Sequence, residues 1–434
     1  MRAQILAFAA SRLAARPRRR AVATRALVEW LSPERRRRDG SRKWTRFPED
    51  VLPVWVADGD AAAPPAVRDA VAVAAAAGIY GYADPSPDLL EKVRASLARS
   101  YEVDDVPAAW LRWHPGLIPA LYHAARLAGP TGAVVCPTPV YPPFLNAARD
   151  SSQCVEVDLG HDGGPLDLPA LEAALDEAAA LAAEGAEVVL LWCNPHNPTG
   201  RVWRRDEMAA VASACAARNV ILLSDEVWSG LIFDEAATPF TPLGRVAGDD
   251  LRWISITSPS KTFNVAGLDL ALGVVPDDAL RRRYFRAGRD QAEITAAGYA
   301  ALGAVLDDES DEPGGSCFLT PPRGACETWR RELVELLRAN RDRAVSFLES
   351  ECSDLLTVAA PAESTYLLWI DARKLHRSPG LFLEKKGVYL TDGGAFSARG
   401  FVRLNFCCAP ETLEEALQRI GAACAEARRL KCDN

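Results

Sequence analysis

At 434 residues the chain is longer than one hydrophobic core usually serves, so two domains are the starting expectation. A hydrophobic share of 49% beside 25% charged residues is that of a soluble globular protein, and a net charge of -8 argues against nucleic acid or an anionic membrane surface as the main partner. No apolar run reaches the roughly 18 residues of a membrane span, and 11 cysteines without Cys-x-x-Cys spacing, with only five histidines, point away from a disulfide framework or a metal centre and toward a reducing compartment.

Residues 1–28 carry Arg2, Arg12, Arg16, Arg18, Arg19, Arg20 and Arg25 and no acidic residue. They read either as an organelle transit peptide or as a solvated basic tail. The compartment is accordingly the cytoplasm, or a plastid or mitochondrion if the segment is cleaved. The folded protein is expected to start at residue 29, with 29–60 packing into a smaller domain.

PPAVRDAVAVAAAAG reads as a helix, and GLIPALYHAARLAG as another opened by Gly116. The runs GAVVCP, AEVVLLWC, NVILLSDE, RWISIT and ALGVVP are apolar on both faces, as buried parallel strands are. Helical stretches separate several of them, notably PALEAALDEAAALAAE and RRDEMAAVASACAARN. This βαβ alternation predicts an α/β fold, a helix-covered and mostly parallel sheet over residues 61–306. Residues 307–326 are acidic and rich in Gly and Pro, and read as an exposed loop. A long helix from ACETWRREL onward, then the strands STYLLWID and FVRLNF, predict a smaller α+β domain over 327–434. The pair Cys407-Cys408 is expected in the core.

Four motifs sit at strand ends, where open α/β sheets place their sites. They are NPHNPTG, SDEVW, SPSKTFNVAG and FVRLNF. Each has a bland reading: a turn, a helix cap, a surface lysine, an arginine in a structural ion pair. Their order, and ionisable groups at the ends of buried strands, weigh the other way, because such charges are costly unless a site uses them.

With these motifs the chain resembles the fold-type I, class I/II aminotransferase superfamily. Within it, the chain is similar to the MalY/PatB subgroup of cystathionine β-lyases, or cysteine-S-conjugate β-lyases. The resemblance runs from about Arg37 to the C-terminus. It rests on SRKWTRFPEDVLPVWVAD, GIYGY, HPGLIPAL, CPTPVYPPF, LLWCNPHNPTGRVW, ILLSDEV, SPSKTFNVAGL, STYLLWID and GFVRLNF. It implies an aspartate aminotransferase-like fold and pyridoxal 5'-phosphate as cofactor, in a homodimer.

The resemblance also implies roles. Lys261 would hold the cofactor as a Schiff base and, once freed, act as the base at the substrate Cα. Asp225 would keep the pyridine nitrogen protonated. Asn197 would donate to the ring oxygen, with Trp228 beside it, and Tyr141 would stack on the ring. Backbone N–H groups of Gly116, Leu117 and Ile118 would meet the phosphate at a helix N-terminus, joined by the hydroxyls of Ser258 and Ser260 and by Tyr82 of the other subunit. Arg403 would grip the substrate α-carboxylate. The implied reaction is β-elimination from a cysteine thioether to thiol, pyruvate and ammonia; the alternative is an aminotransferase. An idle fold acting through protein contacts is opposed by the intact Lys261, Asp225, Asn197 and Arg403 set.

Four positions depart from the family pattern. Asp269 stands where many members have a phosphate-binding arginine, eight residues after the lysine. Trp228 replaces a tyrosine or histidine, and can donate a hydrogen bond but not accept one. Gly59 and Ala61 replace Met and Phe, which suggests a larger or reshaped substrate pocket if they line it.

Overall fold

Runs such as Val188–Leu191 and Ile221–Leu223 have no exposed face, so they are stable only when covered on both sides. The computed structural model, which describes residues 26–307, 324–360 and 362–432, gathers them into one seven-stranded sheet. Its strands are β1 (Leu111–His114), β2 (Ala133–Thr138), β3 (Gln153–Asp158), β4 (Val188–Cys193), β5 (Ile221–Asp225), β6 (Trp253–Thr257) and β7 (Ala271–Val274). The order is β1-β7-β6-β5-β4-β2-β3. Strands β2 to β6 pair in parallel. The helices Pro142–Ser151, Leu168–Leu181 and Arg205–Ala217 carry the chain back between them.

One expectation is corrected here. ALGVVP forms β7 but runs antiparallel to both neighbours. The residues between Thr257 and Ala271 form turns and one 3-10 turn, Ala266–Leu268, with no α-helix, whereas a parallel return is usually made by a crossover helix packed on the sheet.

The second sheet is small and antiparallel: β8 (Thr357–Val358), β9 (Leu367–Asp371), β10 (Thr391–Asp392) and β11 (Phe401–Asn405), in the order β10-β11-β9-β8. The helices Ala325–Glu351 and Pro410–Cys432 belong to the same C-terminal region. The N-terminal segment joins it: Leu52–Pro53 pairs in parallel with Val388–Tyr389. Order starts earlier than residue 29. Val28 is buried, and the N–H groups of Leu27 and Val28 donate to the Glu332 carboxylate. The transit-peptide reading falls almost wholly on residues outside the described ones, as does the 307–326 loop, although Ala325 already opens a helix. Cys407 and Cys408 are buried with free thiols.

Candidate active site

The C-terminal ends of β4, β5 and β6 deliver three loops to one place. Strand β5 ends on Asp225, which is 1% exposed. Its carboxylate accepts from the Val227 N–H at 3.1 Å and lies 3.9 Å from the Cys193 thiol. Among the described residues no cation lies within ion-pair distance of it. Burial therefore dominates and pushes its pKa up to about 7, against smaller opposing effects of the Val227 bond and of Lys261.

The loop after β6 carries Lys261. Its Nζ donates to the Ala57 carbonyl at 2.9 Å and sits 5.8 Å from the Trp228 ring centroid. Burial lowers its pKa to about 8; Asp58 and Asp225 pull it up, while Arg403 pushes it further down. Trp228 is itself buried, edge-on to Tyr366.

The NPHNPTG loop after β4 is more than a turn. Gly200, at φ +72°, accepts from the N–H groups of Glu363 and Ser364, and a Cβ there would come within 2.9 Å of the Ser364 carbonyl. That close approach fastens the loop to the small domain and brings Asn197 to Arg403 of β11. The Arg403 guanidinium donates to Asn197 Oδ1 at 2.8 Å and to the Trp55 carbonyl at 3.3 Å. It is 3% exposed, its Nε has no partner, and no carboxylate of the described residues pairs with it. Burial lowers its pKa to about 10. With its oxygen engaged, the Asn197 side chain has its NH2 group left to donate elsewhere. Tyr141, half-buried at the start of the helix Pro142–Ser151, feels the charges of both Arg403 and Asp225, with burial raising its pKa first.

Not every expected phosphate ligand is free. Gly116 takes φ +92°, but its N–H is spent on the His114 carbonyl at 2.8 Å, closing a tight turn. The Leu117 and Ile118 N–H groups are the open ones in that helix, because the next residue is Pro119. Ser258 donates its hydroxyl to the Leu270 carbonyl at 2.6 Å and accepts from the Ser260 N–H, so its proton is committed to the loop. Ser260 is half-buried. Asp269 lies beside Gly116, with Oδ1 3.9 Å from where a Gly116 Cβ would stand. Tyr82 is 96% exposed and joins none of these residues within its own chain.

Gly59 and Ala61 do not open the cleft. Both are buried, and a Cβ at Gly59 would meet Cys407 Sγ at 2.6 Å and Asn264 Oδ1 at 3.3 Å. The segment 55–61 that holds them is a strap over Lys261. Asp60 binds Lys43 at 2.8 Å and Trp44 Nε1 at 2.8 Å, and Arg36 binds Asp58 at 2.7 Å. Thr391 donates to the Trp55 carbonyl. Asn264 and Asn405 bind strap backbone with their side-chain amides. The sequence reading singled out neither asparagine, although Asn264 stands three residues after the lysine inside a quoted motif.

This donor set suits pyridoxal phosphate. A buried carboxylate without a cation matches a protonated ring nitrogen, and a half-buried amine of lowered pKa matches an aldehyde carbon. A free amide NH2 matches a ring oxygen, and open helix N–H groups match a phosphate. Thr257 Oγ1, at the end of β6, is a further buried polar atom with no partner among the described residues. Among those residues no cluster of His, Cys, Asp or Glu could hold a metal ion, and no helix is long and apolar enough to cross a membrane.

Residues 56–420 match the family model of class I and II aminotransferases. The chain belongs to that family. A cystathionine beta-lyase of Corynebacterium glutamicum is 31% identical over 392 residues, spanning 88% of this chain and 95% of its own. The cystathionine beta-lyase PatB of Bacillus subtilis (strain 168) is 30% identical over 401 residues, spanning 88% and 96%. Among solved structures, cystalysin from Treponema denticola, which contains a pyridoxal 5'-phosphate cofactor, matches with a TM-score of 0.78 at 25% identity over 92% of this chain and 98% of its own. The fold is aminotransferase-like, a mostly parallel seven-stranded sheet with a small antiparallel domain.

Proposed function

We propose that this protein binds pyridoxal phosphate on Lys261 and cleaves the Cβ–S bond of cystathionine or another cysteine S-conjugate, giving a thiol, pyruvate and ammonia. One observation carries the amino-acid part of this reading: a buried Arg403 guanidinium shares a cleft with a half-buried amine and a buried carboxylate, and among the described residues neither ion has a partner of opposite charge. When bound, the cofactor supplies the electron sink that makes the substrate Cα proton acidic. Asp225 holds the proton on the ring nitrogen. Asn197 donates to the ring oxygen, with the Trp228 indole beside it. Tyr141 covers the ring, and the Leu117 and Ile118 N–H groups, with Ser260, bind the phosphate. Arg403 takes the α-carboxylate and so fixes the substrate's orientation. Lys261 would hold the cofactor through Nζ and, when that amine is free, would take the Cα proton; its lowered pKa leaves about half of it neutral near pH 8. The thiolate then leaves from Cβ, and hydrolysis of the enamine product completes the stoichiometry.

The names of the relatives support elimination over transamination. Product analysis tests the choice. With L-cystathionine alone, pyruvate, ammonia and thiol are expected in equal amounts over many turnovers. Turnover that requires an added 2-oxo acid, with no pyruvate formed, would overturn the lyase in favour of an aminotransferase.

The active unit in this reading is a homodimer. Ile79, Tyr80 and Tyr82 are each at least 80% exposed, which supports a partner surface here; in the dimer Tyr82 would reach the phosphate of the second subunit. Sedimentation should give a dimer, and Tyr82→Phe should loosen cofactor retention; a fully active monomer would refute this part.

A further inference from the structure

Asn264 lies at φ +54°, a conformation that asparagine tolerates better than most residues. Its amide is used on every side. Oδ1 accepts from the Gly59 N–H at 3.0 Å, and Nδ2 donates to the carbonyls of Gly59 at 3.0 Å and Ala61 at 2.6 Å. Upstream on the same strap, Asn405 Nδ2 donates to the carbonyls of Val56 at 2.6 Å and Asp58 at 2.9 Å. Ala57 lies between the two carbonyls that Asn405 holds and two residues before Gly59, the first residue that Asn264 holds, and its carbonyl receives Lys261 Nζ at 2.9 Å. Gly59 gives Asn264 its room, since any Cβ there would press on Asn264 and Cys407. A single side chain thus ties the loop that carries the lysine to the strap that carries the lysine's acceptor, across 205 positions of sequence.

We propose that Asn264 is a positioning residue for Lys261, holding the strap so that the Ala57 carbonyl docks the amine whenever it is free. A neutral amine has two N–H bonds and one lone pair. Engaging one N–H on a fixed carbonyl restricts where the lone pair points, and the barrier to proton transfer depends on that direction. The charged groups facing the amine are Asp58, Asp225 and Arg403. A strap that drifts admits water to the amine and weakens the burial that lowers its pKa. The proposal rests on the reading of Lys261 as cofactor-holding base, and the experiment separates the two.

The variant is Asn264→Gly. Glycine accepts the +54° backbone, so the change removes three hydrogen bonds without adding the strain that alanine would bring. Borohydride reduction of the holoenzyme, followed by peptide mapping, comes first. Cofactor fixed on Lys261 in both wild type and variant is expected; cofactor fixed elsewhere refutes the parent reading and this one with it. Next, kcat, KM and their pH profiles are measured on a cysteine thioether. Asn264→Gly should lower kcat on the order of 10- to 100-fold with a smaller change in KM, and should move the rising limb of kcat to higher pH. Asn264→Asp keeps the acceptor for Gly59 and loses both donations, and should move the limb the same way if Asn264→Gly does not fold. Val93→Ala, a buried change in the helix Pro87–Tyr101, supplies a destabilised control and should keep the wild-type profile. Wild-type kcat and pH profile in a folded Asn264 variant with only a lower Tm, or the same kinetic loss in the control, would overturn the proposal.

Discussion

The two ends of the large sheet handle charge in opposite ways. At the start of β4, Glu187 is gripped by both nitrogens of Arg252, at 2.9 and 2.7 Å, and by Arg283. Burial alone would raise its pKa, but the two guanidinium groups outweigh it and hold the carboxyl below its ordinary value. At the far end of the neighbouring strand, Asp225 is buried with no cation of the described residues paired to it, and its pKa rises to about 7. Arg403 faces the same cleft with no carboxylate partner among the described residues and its Nε unpartnered. Both ends belong to one rigid sheet, so packing cannot explain the difference. One end satisfies its charges within the described residues; the other leaves them unpaired there, the pattern expected of a ligand site.

The widest separation between the two ends should appear on removing the amine. Lys261→Ala is expected to cut turnover on the order of 1,000-fold or more, since it removes both the covalent anchor and the base. It should leave no cofactor fixed by borohydride. A variant that keeps a fixed cofactor and turnover would show that the unpaired end serves something else. Next comes Arg403→Ala. Losing the guanidinium that meets the α-carboxylate should cost about 2–5 kcal/mol in kcat/KM, most of it as raised KM. Little change in KM for α-amino acids would mean that Arg403 is unpaired for another reason.

The unpaired end was the more legible one in the sequence. Apolar runs buried on both faces ended in Asp225, or led within four residues to Lys261, and the motifs beyond them named most of the cleft. What escaped reading was non-local. Strand β3 alternates exposed and buried residues as an edge strand does, and β1 is four residues with an arginine and a histidine, so neither resembles the central runs. The direction of β7 depended on a loop without a crossover helix. The commitments of the Gly116 N–H and the Ser258 hydroxyl are to backbone carbonyls that no residue pattern announces. The strap anchors Asn264 and Asn405 reach 205 and 349 positions away. Gly59 and Ala61, just past the quoted segment that ends at Asp58, would have reshaped the pocket had they lined it, but the fold buries both.

A finer test compares stability at the two ends. Asp225 has a folded pKa near 7 against an ordinary 3.8, so the folded, cofactor-free chain binds its proton more tightly than the unfolded chain does. That costs nothing below about pH 4, grows between there and pH 7, and is constant above. Asp225→Asn removes the cost. The cofactor-free variant should therefore be more stable than wild type above pH 7, by about 4 kcal/mol at most, and equal to it in acid. Glu226 is also raised to about 7, first by burial and in small part by the Asp225 charge, so Asp225→Asn relieves Glu226 in the same stabilising direction. With cofactor bound the same substitution should lower turnover, because the ring nitrogen loses its counter-charge. Denaturant titrations across pH that show wild type the more stable at pH 8 would mean that Asp225 has a cationic partner after all.

Glu187→Gln should have the smallest effect, and the opposite sign. The folded chain holds the Glu187 carboxylate more readily than the unfolded chain, so its contribution is full above its ordinary value of 4.5 and fades as pH falls through the lower folded value. Glutamine keeps one acceptor oxygen and loses the charge, leaving Arg252 and Arg283 less well satisfied. A loss of about 1–2 kcal/mol near neutral pH is expected, shrinking in acid, because hydrogen bonds to charged groups of this kind contribute about that much each. Turnover, KM and cofactor retention should stay within about twofold of wild type, since strain at the paired end would have to cross the length of β4 to reach Asn197. If Glu187→Gln changed kcat as much as it changed stability, the two ends of the sheet would be coupled rather than independent. The paired network would then be part of what holds the NPHNPTG loop against Arg403.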